Sequence, residues 1–281
     1  MDWINDHKIP LGQWMEMLVD WLIGNAAGFF DAISESLEWL ILGLTDWLLQ
    51  CPPVALIVAV GGLAYWLHRS LGLVVFVVLA LLLISNLGYW VEMIETVVLV
   101  LMATFLCILF GIPIGILAAH YPRFNTMIRP VLDLMQTIPT FVYLIPTLIL
   151  FGLGVVPGLI STIVFAIAAP IRLTALGISS VPEELLEAGK AFGATRWKLL
   201  FKIELPAAMP SIMAGVTQCI MLSLSMVVIA ALVGADGLGK PVVRALNTVN
   251  ISQGFEAGLA IVLVAIVLDR LCKQRNPKEI K

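Results

Sequence analysis

Charge is what this sequence has least of. Asp, Glu, Lys and Arg make up 12% of its 281 residues and hydrophobic residues 60%, with mean hydropathy +1.03. A soluble domain is about half apolar and about a quarter charged, so this balance excludes a water-soluble globular chain and points to a membrane protein. Net charge is −3 with no long basic block, and no nucleic-acid partner is expected. Histidine is scarce as well. His7, His68 and His120 are scattered, and no group of His, Cys or carboxylates has catalytic or metal-ligand spacing, so no catalytic residue, metal or cofactor site is assigned. The four cysteines, Cys51, Cys107, Cys219 and Cys272, stand apart without a CxxC pair and read as small buried hydrophobes. The start, MDWINDHKIP, is acidic and lacks an early apolar stretch, so no cleaved signal peptide is expected.

What is abundant is the apolar run. About 20 apolar residues cross the hydrocarbon layer as a helix. Seven runs qualify, near Pro52–Leu67, Leu71–Leu87, Val97–Ala119, Leu134–Leu153, Leu159–Ile178, Ala207–Val233 and Phe255–Cys272. The fold class is therefore all-α, a polytopic transmembrane helical bundle in contact with lipid. Basic residues collect after the first, third and fifth runs (Arg69; Arg123 and Arg129; Lys190, Arg196, Lys198 and Lys202) and in the tail Lys273, Arg275, Lys278 and Lys281. Because basic loops stay in the cytoplasm, these lie inside and the C-terminus is cytoplasmic. Glu92 and Glu95 and the short VVPG segment then lie outside; Ala235–Gly254 departs from the pattern, carrying Lys240 and Arg244 on the external side.

Residues 1–51 form a separate segment with eight acids, one Lys and five of the eight tryptophans, Trp3, Trp14, Trp21, Trp39 and Trp47. This composition predicts an external amphipathic segment lying along the membrane interface. The alternative, an eighth span over Leu37–Leu49, would place Glu38 and Asp46 in lipid. The remaining organisation is two helices over 52–92, a core over 93–272 with a cytoplasmic loop at 179–206, and a basic tail over 273–281.

The long loop from Ser179 to Pro210 reads as two short helices forming a rigid amphipathic elbow. Ser180 with Glu183 has capping-box spacing, Gly193 can stop the first helix in a left-handed conformation, and Thr195 can cap the second. Pro206 and Pro210 mark the turn into the next span. Glu187, Ala188, Gly189, Gly193, Ile203, Leu205 and Pro206 fit the EAA motif (EAA, three residues, Gly, nine residues, Ile, one residue, Leu-Pro) at every spacing, with Gly189 where Ala is usual.

Through this motif the chain resembles the permeases of binding-protein-dependent ABC importers. Asp133–Gly158, Leu222–Leu232 and Gly237–Gly239, within a likeness spanning roughly Ile94–Arg270, are similar to the glycine betaine, proline betaine and choline branch. The resemblance implies the type I permease fold, with the elbow as a coupling helix docked on a cytoplasmic ATPase subunit. It also implies a second permease copy in a homodimer, an external substrate-binding protein, and osmoprotectant or nutrient uptake. ATP and magnesium then belong to the partner ATPase. Gly234-Ala235-Asp236-Gly237-Leu238-Gly239-Lys240 imitates a Walker A loop, but Pro241 stands where Ser or Thr would bind magnesium and an apolar run precedes it where a strand should be.

Polar residues inside the runs are candidates for a translocation pathway: Gln136, Thr140, Tyr143, Gln218 and Ser225, beside Thr137 and Ser223. Pro139 and Pro146 bend the fourth run. Phe141 and Tyr143 offer aromatic faces to a quaternary ammonium. Arg172 is expected to extend to the interface, and Gly111 and Gly115 form a GxxxG pair interrupted by Pro113. The competing readings are a permease for another small solute such as methionine or a sulfonate, an ion-coupled secondary transporter, and a membrane enzyme or scaffold. The ion-coupled reading is disfavoured because Asp, Glu and Lys are absent from the central runs.

Overall fold

The computed structural model describes residues 10–273, and every described element is helical. The readings made for Asp2, Trp3, Asp6 and His7 and for the tail beyond Lys273 lie outside the described residues. Helix α1 (Leu11–Gln50) is 40 residues long and kinks at Ala26, where φ is −134°. It meets α2 (Pro53–His68) at 101°. The break follows from Pro52 and Pro53, since the residue before a proline is forced extended and Cys51 has ψ 133°. α2 pairs with α3 (Leu71–Asn86). Then come α4 (Trp90–His120), α5 (Pro122–Thr137), a 3-10 turn (Thr140–Tyr143), α6 (Leu144–Phe151), α7 (Val155–Ala166) and α8 (Ala168–Ser179). The chain continues through α9 (Glu183–Ala191), α10 (Arg196–Leu199), a π turn (Leu200–Glu204), α11 (Leu205–Ala231), α12 (Gly239–Thr248) and α13 (Ile251–Cys272).

Among the described residues four stretches are long and apolar enough to cross a membrane alone: α4, α7 with α8, α10 through α11, and α13; two bent pairs raise the number to six. The run Leu134–Leu153, expected to bend at Pro139 and Pro146, is one of those bent pairs, and its break falls at Pro139. Ile138 before Pro139 is extended (ψ 132°), and α5 and the segment after it meet at 105°. Pro146, in contrast, sits in the first turn of α6, where its missing N–H costs little.

The core is a three-helix contact of α4, α8 and α11, closed by α7. Small residues let these backbones approach. A Cβ on Gly111 would lie 3.1 Å from the Pro170 ring, one on Gly115 2.7 Å from the Ile171 carbonyl, and one on Gly215 3.2 Å from Pro170 Cα. The interrupted GxxxG pair is thus the seat of α8 on α4, as small residues are at membrane helix interfaces. Cys107 and Cys219 are fully buried at the contact of α4 and α11, while Cys51 and Cys272 are half-buried. α1 packs on α4, α6 and α7, with Ile41 and Thr45 buried and Phe30 edge-on to Phe151 at 5.4 Å. Trp14, Trp21, Trp39 and Trp47 are exposed.

The two ends of the bundle differ in charge. At one, His68 donates from Nε2 to the Lys273 carbonyl at 2.9 Å, bringing the α2–α3 turn and its Arg69 to the end of α13. His120 and the elbow lie at the same basic end. At the other, the Leu238 N–H donates to Thr96 Oγ1 at 2.8 Å and the Gly154 N–H to the Val233 carbonyl at 3.0 Å. Burial, then the charges of Glu256 and Glu92, push the Tyr89 phenol above its ordinary pKa, marking this as the acidic end. Lys240 there is engaged in an ion pair with Asp236, which accounts for one of the two cations that departed from the charge pattern.

Candidate functional site

The elbow begins where α8 stops. The Ser180 hydroxyl donates back to the Leu176 carbonyl at 2.6 Å, and Ser180 is the residue that ends α8, two positions short of the one that precedes α9. The capping box expected from Ser180 and Glu183 is therefore not formed. Pro182 (ψ 135°) is the residue before the helix instead, and Glu183 and Glu184 occupy the first turn, where carboxylates favour the helix dipole. Gly193 closes α9 as expected, with φ +73°, the Gly193 N–H on the Lys190 carbonyl at 2.9 Å and the Ala194 N–H on the Gly189 carbonyl at 3.0 Å. Thr195 does precede the next helix (ψ 163°), but its hydroxyl makes no capping bond.

The second short helix is not separate. α10, the π turn and α11 run on as one stretch from Arg196 to Ala231, so Pro206 and Pro210 do not mark a turn. The reason is local. Proline cannot donate to the i−4 carbonyl, and the π turn shifts the register ahead of Pro206 by sending the Leu205 N–H to the Leu200 carbonyl. Pro206 then falls in the first turn of α11, where proline is tolerated.

The motif residues divide by direction. Gly189 is buried, and a Cβ there would lie 2.5 Å from Ile203 Cδ1 and 2.6 Å from Leu199 Cδ2. Glycine in place of the usual alanine lets α9 press onto the π turn. Glu187, Ala188 and Gly193 face solvent, and Glu187 has no ion-pair partner among the described residues. Sequence reading missed the aromatic surface beside them. Phe192 is 92% exposed at the tip, and Trp197 and Phe201, 71% and 60% exposed, stack on each other at 5.9 Å. The signal was their presence in an otherwise basic, amphipathic loop.

Above the elbow, His120 at the end of α4 donates from Nε2 to Glu204 Oε2 at 2.8 Å. Arg172, on α8, has a partner that sequence reading did not name. Its guanidinium reaches Asp133 at 2.6 Å, joining α8 to α5 at the rim of a cleft of about 480 Å³ that Asn125, Arg129 and Ser179 also line.

The candidate pathway residues fall in two places. Gln218 and Ser225 share an exposed stripe of α11 with Ala214 and Met221, while the neighbouring Ser223 is buried. Gln136, Thr140 and Tyr143 lie at the break before α6, and the 3-10 turn packs against α11. Tyr143 is pinned, its hydroxyl donating to the Met135 carbonyl at 2.7 Å. Sequence reading also missed Thr147 and Ser161, whose buried hydroxyls meet at 2.7 Å and fasten α6 to α7. The glycine-rich Gly234–Lys240 segment is a turn packed on the bundle, with Leu238 fully buried and its N–H held by Thr96.

Residues 111–273 match the family model described as binding-protein-dependent transport system inner membrane component. The chain is 44% identical over 272 residues to the glycine betaine transport system permease protein of Bacillus subtilis, covering 97% of this chain and 96% of that one. It is 44% identical over 268 residues to the glycine betaine/proline betaine transport system permease protein of Escherichia coli, covering 94% of this chain and 75% of the relative. It is 43% identical over 281 residues to the glycine betaine/carnitine transport permease protein of Listeria monocytogenes, covering 98% of each. Among solved structures, the inward-facing MetNI methionine ABC transporter aligns with a TM-score of 0.57 over 65% of this chain and 95% of that one; at 20% identity this is a likeness of fold, the type I permease. With the family model covering more than half of the chain and these relatives nearly all of it, the chain belongs to the binding-protein-dependent inner membrane components of transport systems.

Proposed function

We propose that this chain is the permease subunit of an ABC importer for small quaternary ammonium compounds such as glycine betaine and choline. The observation that carries the reading is the elbow: a helix seated on the bundle through Gly189, closed by Gly193, and presenting Glu187 and Phe192 outward with no partner among the described residues. The full-length likeness to betaine permeases supplies the substrate class.

In this reading the basic end faces the cytoplasm and the elbow docks on an ATPase subunit, which holds the ATP and magnesium. The acidic end faces outward, toward a substrate-binding protein. Seven spans result when α2 and α3, each about 24 Å long, are counted with the bent α5–α6 pair. The 101° angle between α1 and α2 suits an α1 lying along the outer interface with its tryptophans in the headgroup layer. The stripe of Gln218 and Ser225, with Thr140 and Gln136 beside it, lines the pathway, and a second copy closes it. A quaternary ammonium offers no N–H, so it suits a wall of weak acceptors and aromatic faces such as Phe141 and Tyr143 better than one of charges.

The test is uptake by proteoliposomes holding this chain with its ATPase and binding protein. Saturable, ATP-dependent accumulation of labelled glycine betaine or choline is expected, and none with this chain alone. Accumulation driven by a proton or sodium gradient without the ATPase would overturn the assignment. Labelling of an Asn25→Cys variant by an impermeant thiol reagent in intact cells checks the orientation.

A further inference from the structure

Two neighbouring residues of the π turn reach in different directions. Ile203 packs toward Gly189 of α9, whereas Glu204 reaches His120, the last residue of α4. Glu204 is 8% exposed, and His120 is its only hydrogen-bond partner among the described residues. Around it lies an apolar layer of Ile178, Leu200, Ala208 and Ile212, with Ile112, Ile116 and Ala119 of α4 packed against it. A carboxylate buried in such a layer is costly unless paired, and an apolar residue would pack there without that cost. Packing alone therefore does not account for a glutamate at this position.

The same place is where the long helix is weakest. The π turn interrupts the regular i−4 hydrogen-bond ladder, Pro206 and Pro210 each remove a donor within the next six residues, and such interruptions are where helices bend. A push on α9 can be absorbed by bending here without moving the core. The His120–Glu204 hydrogen bond bypasses the weak joint, because it ties the π turn directly to α4, and α4 is packed along α8 and α11.

We propose that His120 and Glu204 are positioning residues for energy coupling, forming a polar strut that carries the displacement of α9 past the flexible π turn into α4. The inference rests on the reading of the elbow as the ATPase-docking element. Without the strut, ATP hydrolysis continues while α9 moves against a yielding joint, and transport is lost from the cycle.

The experiment uses the full complex of permease, ATPase and binding protein in proteoliposomes and measures solute accumulated per ATP hydrolysed. Removing one partner of a charge-assisted bond should lower this ratio on the order of tenfold in His120→Leu and in Glu204→Leu, with hydrolysis retained. The double variant should fall no further than either single one. His120→Gln places an amide nitrogen near the position of Nε2 and should recover most of the ratio. If the leucine variants fail to insert, Glu204→Gln takes their place, since it weakens the bond while keeping the shape. An unchanged ratio in His120→Leu or Glu204→Gln overturns the proposal, as does an equal fall of uptake and hydrolysis, the mark of a packing defect. A wild-type complex showing no ATP-driven uptake would instead refute the parent assignment.

Discussion

The elbow at the basic end leads into α11 and the glycine-rich turn at the acidic end leads out of it, and they are built in opposite ways. The turn is sealed: Ala235 and Leu238 are buried, Gly239 lies against the backbone of α11, and the Leu238 N–H is held inside by Thr96. The elbow is open, with Phe192 92% exposed and Glu187 without an ion-pair partner among the described residues. The difference teaches that tight packing is concentrated at one end of the bundle and exposed surface at the other. Damage to the turn should unmake the bundle, while damage to the elbow should leave it folded and idle.

The largest effect is expected at the sealed end. Gly239→Val drives a side chain into the Val227 carbonyl, and overpacking of this kind costs roughly 3 kcal/mol or more when the obstacle is backbone. Purified variant should show a strongly lowered Tm in detergent or fail to accumulate. A Tm equal to wild type would show that the turn is not sealed.

At the open end, Glu187→Lys and Gly193→Asp should leave insertion and Tm nearly unchanged while abolishing ATP-driven uptake. Gly193 has φ +73°, so a side chain there costs about 1 kcal/mol, enough to disturb the elbow and too little to unfold the protein. Wild-type uptake at equal expression in both variants would make the elbow a passive connector.

A subtler break of the sealed end is Thr96→Val, which leaves the buried Leu238 N–H without its acceptor at a cost of about 1–3 kcal/mol. Its counterpart at the open end is Phe192→Ala, expected to weaken docking of the ATPase by about 1–2 kcal/mol, seen as a several-fold weaker affinity with no change in Tm. The smallest effect belongs to Arg172→Gln. The Arg172–Asp133 pair is 38% and 66% exposed, so its loss should cost less than about 1 kcal/mol, and thermal melts should barely register it.

The sequence by itself determined the class and the place of the elbow. Long apolar runs read as membrane helices, and the spacing from Glu187 to Pro206 marked the elbow through its resemblance to the EAA motif. The left-handed Gly193 was legible for the same reason, since few residues accept that backbone conformation. What only the tertiary structure decided is whatever depends on partners distant along the chain. Asp133 lies 39 residues from Arg172, and Glu204 lies 84 from His120, so neither pairing leaves a local pattern to read. Ser180 was misjudged because it ends α8, and Pro182 two residues on takes the position before α9. The run through Pro206 was misjudged because a proline that ends a solitary helix can be absorbed when a π turn resets the register and packing against α8 holds the helix together.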